Sequence, residues 1–161
     1  MANEDVHLAG LILGGMWHTI RFQNGQWQRF GDVKLAASDP GLFQHVACSG
    51  VASDLHVCGI VNGGVIWHAT RHGDGTWTRF GDVNRETGIQ EYFVSIACAG
   101  VVGELHVIGN TNRTLLHAIR HGNGTWTVFG DVKQEAGNPG DILAIACAEV
   151  NGGTSFVLCC F

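Results

Sequence analysis

VIWHATRHGDGTWTRFGD, residues 65–82, decides the fold. An apolar opening, Val65-Ile66-Trp67, runs into alternating polar and apolar residues, then Gly73-Asp74-Gly75, then a second run carrying Trp77 and Phe80. Two β-branched or aromatic-rich runs joined by a Gly/Asp turn predict a β-hairpin. Asp-Gly supplies the positive φ that such a turn needs. The stretch occurs twice more. Residues 16–22 lead through Asn24-Gly25 to Trp27, Phe30, Gly31 and Asp32, and residues 115–121 lead through Asn123-Gly124 to Trp126, Phe129, Gly130 and Asp131.

Outward from the hairpin, everything keeps the same step. Trp27 to Trp77 is 50 residues and Trp77 to Trp126 is 49, and Asp32, Asp82, Asp131 and Cys48, Cys98, Cys147 follow suit. The chain therefore reads as one domain of three tandem repeats, about 6–50, 54–100 and 104–150. Each repeat offers four strand candidates: a Leu-His-Val type (Val6-His7-Leu8, Leu55-His56-Val57, Leu105-His106-Val107), the two hairpin arms, and an Ala-Cys type ending at Cys48, Cys98 and Cys147. Loops with Asp39-Pro40-Gly41, Thr87-Gly88 and Asn138-Pro139-Gly140 precede the Ala-Cys strands, and a closing strand is expected over residues 155–161. No segment shows helical periodicity of useful length. Four-stranded repeats near fifty residues predict an all-β chain of β-propeller blades. Residue size puts the Ala-Cys strand innermost, then Leu-His-Val, then the Trp-His arm, then the Trp…Phe-Gly-Asp arm.

Three blades do not close a ring, so closure is expected from oligomerisation, two chains giving six blades in a homodimer. The last Ala-Cys strand would pair with the first Leu-His-Val strand of a neighbour, although residues 155–161 compete for that slot. The alternative is a β-trefoil, which also has three four-stranded repeats and closes within one chain.

A net charge of -5, with only nine Lys and Arg, argues against a nucleic-acid partner. No apolar run is long enough to insert in a bilayer. Met1-Ala2-Asn3-Glu4-Asp5 is an acidic start without a signal-peptide core, so the chain is expected to be soluble and made in the cytoplasm, with any release by a non-classical route. The six cysteines lie in apolar strand-like runs and read as small buried hydrophobes.

The Trp-His-x-x-Arg, Asp/Asn-Gly-x-Trp and Phe-Gly-Asp-Val elements, with the Ala-Cys and Leu-His-Val strands, resemble the repeat of bacterial propeller lectins of the Photorhabdus fucose-binding type. The resemblance runs from about residue 6 to residue 160. It implies a multivalent, metal-independent sugar-binding protein with sites between neighbouring blades, for fucose-like or methylated sugars. Two departures are plain. The family proteins carry about seven blades in one chain, and Leu116 stands where Trp17 and Trp67 stand in the other repeats.

The candidate sugar-binding residues repeat with the blades. Trp17 and Trp67 open their hairpins, and Trp27, Trp77 and Trp126 follow the turns. An indole face packs on the C–H face of a sugar and its N–H serves a hydroxyl, while the same rings would also serve blade-to-blade packing. Arg21, Arg71 and Arg120 fall on the strand face of Trp17 and Trp67; His18, His68 and His117 fall on the other, with His7, His56 and His106 on the adjacent strand. Which face binds stays open. One histidine per repeat lies on a ring, away from its equivalents, so neither metal nor another cofactor is expected. The acids repeat too, instead of forming one unique pair, so no enzyme is expected. Glycans are the expected partner, and a non-catalytic propeller scaffold for protein–protein interaction is the alternative.

Overall fold

The computed structural model describes residues 5–150 and the backbone of Val157–Cys160; the remainder of the expected 155–161 strand lies outside the described residues. The chain is all-β, and its sheets are antiparallel. The first sheet holds β1 (Val6–Ile12), β2 (Gly15–Arg21) and β3 (Gly31–Asp32) in that order. A short helix, α1 (Val33–Ala37), leads to the second sheet: β4 (Phe43–Val51), β5 (Asp54–Val61), β6 (Val65–Arg71) and β7 (Gly81–Asp82). After α2 (Val83–Thr87), the third sheet repeats it with β8 (Ser95–Val101), β9 (Glu104–Asn110), β10 (Leu115–Arg120) and β11 (Gly130–Asp131). Beyond α3 (Val132–Ala136), β12 (Ile145–Ala148) and β13 (Val157–Cys160) form a two-stranded sheet.

The two complete sheets have the strand order that residue size predicts: Ala-Cys, Leu-His-Val, Trp-His, Gly-Asp. The Ala-Cys strands pack on one another, β4 on β8 and β8 on β12. Small residues allow it. A Cβ on Gly100 would land on the carbonyl oxygen of Gly50, and the Gly100 N–H donates to Ser49 Oγ across the same gap at 2.7 Å.

Two local expectations differ from the structure. The outer hairpin arm is not a continuous strand. It touches its partner at a single bridge per repeat, Arg21 with Trp27, Arg71 with Trp77, Arg120 with Trp126, and again at the two-residue β3, β7 and β11. One-turn helices also occupy the loops before the Ala-Cys strands. Each is capped by the Asp of Phe-Gly-Asp: Asp32 accepts from Leu35 N, Asp82 from Arg85 N and Asp131 from Lys133 N, at 3.2, 2.9 and 2.8 Å. A carboxylate at the N-cap satisfies an amide that the first turn leaves unpaired.

Apolar clusters fill the seams between sheets. Met16, Val33, Phe43, Val57, Ala69 and Phe80 pack between the first and second sheets; Cys58, Ile66, Phe93, Ile96, Leu105 and Leu116 pack between the second and third. Burying each large side chain is worth about 1.5–3 kcal/mol, so the seams hold the molecule together. Cys48, Cys58, Cys98 and Cys147 are free thiols. Hydrogen bonding to Cys58 and burial push the Cys98 thiol well up, and burial pushes Cys147 up to about 12. Among the described residues, no helix is long and apolar enough to cross a membrane.

Candidate functional site

The seams also carry the candidate sites, and the hairpin sets their geometry. In each turn an Asx side chain holds the chain reversal: Asn24 accepts from Gln26 N, Asp74 from Thr76 N and Asn123 from Thr125 N, all near 3.0 Å. Gly25, Gly75 and Gly124 follow with φ of 85°, 92° and 90°. A Cβ at these glycines would meet the guanidinium of Arg21, Arg71 and Arg120 at 3.3–3.7 Å. Each arginine thus lies across its own turn, opposite its tryptophan.

The face beside it carries histidines in pairs. His7 Nδ1 lies 2.9 Å from His18 Nε2, His56 Nδ1 lies 2.8 Å from His68 Nε2, and His106 Nδ1 lies 2.9 Å from His117 Nε2. One nitrogen must donate and the other accept, so a pair cannot hold two imidazolium ions. The pairs are kept neutral. Burial first, then the partner ring and Arg71, lower His18 to about 4; burial and Arg120 lower His56 to about 4; burial, His56 and Arg120 push His68 well down.

The two strand faces separated by alternation meet in one seam. The Val57, Ala69 and Trp67 face of the second sheet packs toward Met16 and Phe43, where the histidine face of the first sheet lies. Trp77 then sets its ring edge-on to His18, and one seam along Trp126 does the same to His68, both with centroids 5.6 Å apart. Arginine of one repeat therefore depresses the histidine pair of the repeat before it.

Above the first two pairs open clefts. The first, about 800 Å³, has Asp5, His7 and Gln28 on one wall and Leu55, Arg71 and Gly73 on the other. The second, about 300 Å³, has Asp54, His56 and Thr78 facing Leu105, Arg120 and Gly122. These are the same repeat positions. At the rim, a carboxylate ties each sheet to its hairpin: Asp5 accepts from Gln23 N at 3.1 Å, Asp54 from Gly73 N at 3.1 Å while pairing with His72 at 2.9 Å, and Glu104 pairs with His121 at 2.6 Å. Burial raises the Asp54 carboxyl, but the His72 and Gly73 hydrogen bonds outweigh it and leave it low.

Of the sequence-derived candidates, Arg71 and Arg120 line the clefts directly. His18 and His68 lie beneath as partners of the lining His7 and His56. Trp77 and Trp126 pack against those pairs, Trp67 sits in the apolar seam with its indole N–H unpartnered among the described residues, and Trp17 is half-buried on the far face of the first sheet. Trp27 and Arg21 are exposed at one end of the chain, and His117 stands at the other. The rim carboxylates were not among the candidates, yet the sequence marks them: an acid stands two residues before His7, His56 and His106 alike. Among the described residues, no group of three or more His, Cys, Asp or Glu side chains is placed to hold a metal ion.

Compared with known proteins, the chain matches no family model and no curated sequence.

Proposed function

We propose that this chain is a multivalent carbohydrate-binding protein, a lectin whose sites are the clefts between neighbouring sheets. The observation that carries the reading is the equivalence of the two clefts. Asp5 and Asp54, His7 and His56, Arg71 and Arg120 take the same places around two separate openings. Each cleft offers a guanidinium, an imidazole and a carboxylate above apolar walls. That set donates to and accepts from sugar hydroxyls and leaves apolar surface for the ring. Repetition of one shallow site favours avidity over a single tight pocket. The resemblance to the Photorhabdus fucose-binding type points to fucose-like or methylated sugars.

The architecture in this reading is a β-propeller whose ring is completed by a second chain. Four consecutive strands in meander order in each complete sheet, with small innermost strands stacked on each other, favour blades over a trefoil of hairpins. The runner-up, a scaffold for protein partners without small-molecule binding, draws on the packing of Trp77 and Trp126 into the seams.

A glycan array with haemagglutination tests the proposal. Binding to fucosylated features, reduced at least tenfold by Arg71→Ala, is expected. No binding to any feature by the intact protein would remove it.

A further inference from the structure

The first sheet and β12 carry residues equivalent to the two halves of an internal seam. In the internal seams a phenylalanine of the later repeat packs on the aromatic that opens the earlier Ala-Cys strand: Phe80 on Phe43 and Phe129 on Phe93, with centroids 5.2 and 5.3 Å apart. The first repeat's equivalents face solvent. Phe30 is 56% exposed against 7% for Phe80, and Trp27 is 53% exposed where Trp77 and Trp126 are half-buried. At the far end, Ile142 takes the position of Phe43 and Phe93, and His117 takes that of His18 and His68. The covering residues and the residues to be covered exist in one chain, at opposite ends.

The strands match as well. β12 offers the Ala-Cys edge, and β1 is a Leu-His-Val strand which, among the described residues, pairs with no strand on its inner edge. Its partly exposed pattern contrasts with the buried β5 and β9. Gly59 and Gly109 lie beneath the rings of Phe43 and Phe93, where a Cβ would collide. Gly10 is the same position in β1, and there only Leu8 comes within 4 Å of a Cβ. β13 holds the edge of β12 in the register that β5 holds on β4, but it brings Cys160 to the glycine position.

We propose that a second copy of this chain seats its first sheet on β12 in place of β13, so that Trp17, Arg21 and Trp27 of one copy close over the His106–His117 pair of the other and build a third cleft from both chains. By the β4–β5 register, Ala146 of one copy then faces Ala9 of the other, as Ala47 faces Cys58. The shared cleft has an indole at the Trp67 position, which the second seam lacks because of Leu116, and its rim acid is Glu104. The assembly deepens the two-chain ring proposed above, and its role as a sugar site rests on the lectin reading.

The test is the register. Ala9→Cys/Ala146→Cys full-length protein, oxidised with glutathione disulfide, is expected to give a covalent dimer whose peptide map joins residue 9 to residue 146. Paired residues across a ladder lie within disulfide reach. A link from residue 146 to Cys159 of the same chain, the pairing β13 makes, would overturn the proposal, as would the absence of any link to residue 9. A second arm needs no cysteine. By native mass spectrometry, Trp27→Glu is expected to abolish the dimer, while Leu35→Glu, at a position exposed in every repeat, retains it. A Trp27→Glu dimer, or loss of the dimer in Leu35→Glu as well, would overturn it. Methyl α-L-fucoside that fails to bind a cross-linked dimer counts against the sugar reading alone; a missing cross-link counts against the assembly alone.

Discussion

The smallest unit of this structure is a pair of imidazoles sharing one hydrogen bond, repeated three times. That arrangement was only partly legible. Sequence spacing shows that a Leu-His strand and a Trp-His strand could bring two histidines together, but not that the next repeat lays an indole edge and an arginine against them. Parity along the strand separates Trp67 and Arg71 from His68 correctly. It cannot show that the Trp/Arg face of one sheet meets the histidine face of its neighbour, because that depends on how sheets stack. The pairs carry a pH consequence. His18 and His56 titrate near 4 in the folded chain against an ordinary 6.5, so the unfolded chain binds more protons between those values. Stability is therefore fully present above pH 6.5 and falls as pH drops toward 4, by about 1.4 kcal/mol per pH unit for each such histidine. Urea midpoints at pH 7, 5.5 and 4.5 should fall steadily; a flat profile would show that the pairs are not held neutral.

At the scale of elements, the strands were legible because alternation and Gly/Asp turns are local signals. The helices were not. A five-residue helix is too short for a hydrophobic period, and only the Asp cap betrays it. The outer arm was read as a strand from its aromatics, yet it pairs only at Trp77 and again at Gly81–Asp82, while Phe80 between them fills the seam, and seam packing wins over β propensity. The close approach of inner strands gives a prediction that belongs to this scale. Gly100→Ala places a methyl group on the Gly50 carbonyl, forces β8 from β4, and should cost about 2 kcal/mol or more in urea unfolding. Gly130→Ala, with no atom within 4 Å of its added Cβ, should change stability by no more than about 0.5 kcal/mol. Equal costs at the two sites would contradict the convergence of the inner strands.

For the whole molecule, the account depends on repetition: the same seam is built twice between successive sheets. Two seams are filled within the chain, and the proposal is that the first sheet and β12 of two copies make a third. The phase of the repeat led the sequence reading to expect closure by a neighbouring chain, and the structure pairs the last Ala-Cys strand, β12, with β13. The residues that would meet across a shared seam became visible only from the internal seams, where Phe43 meets Phe80 and His18 meets Trp77. Solution mass tests this most directly. The full chain, followed by light scattering from high to low micromolar concentration, should show twice 17.2 kDa at the upper end. A mass of 17.2 kDa throughout would contradict the shared seam.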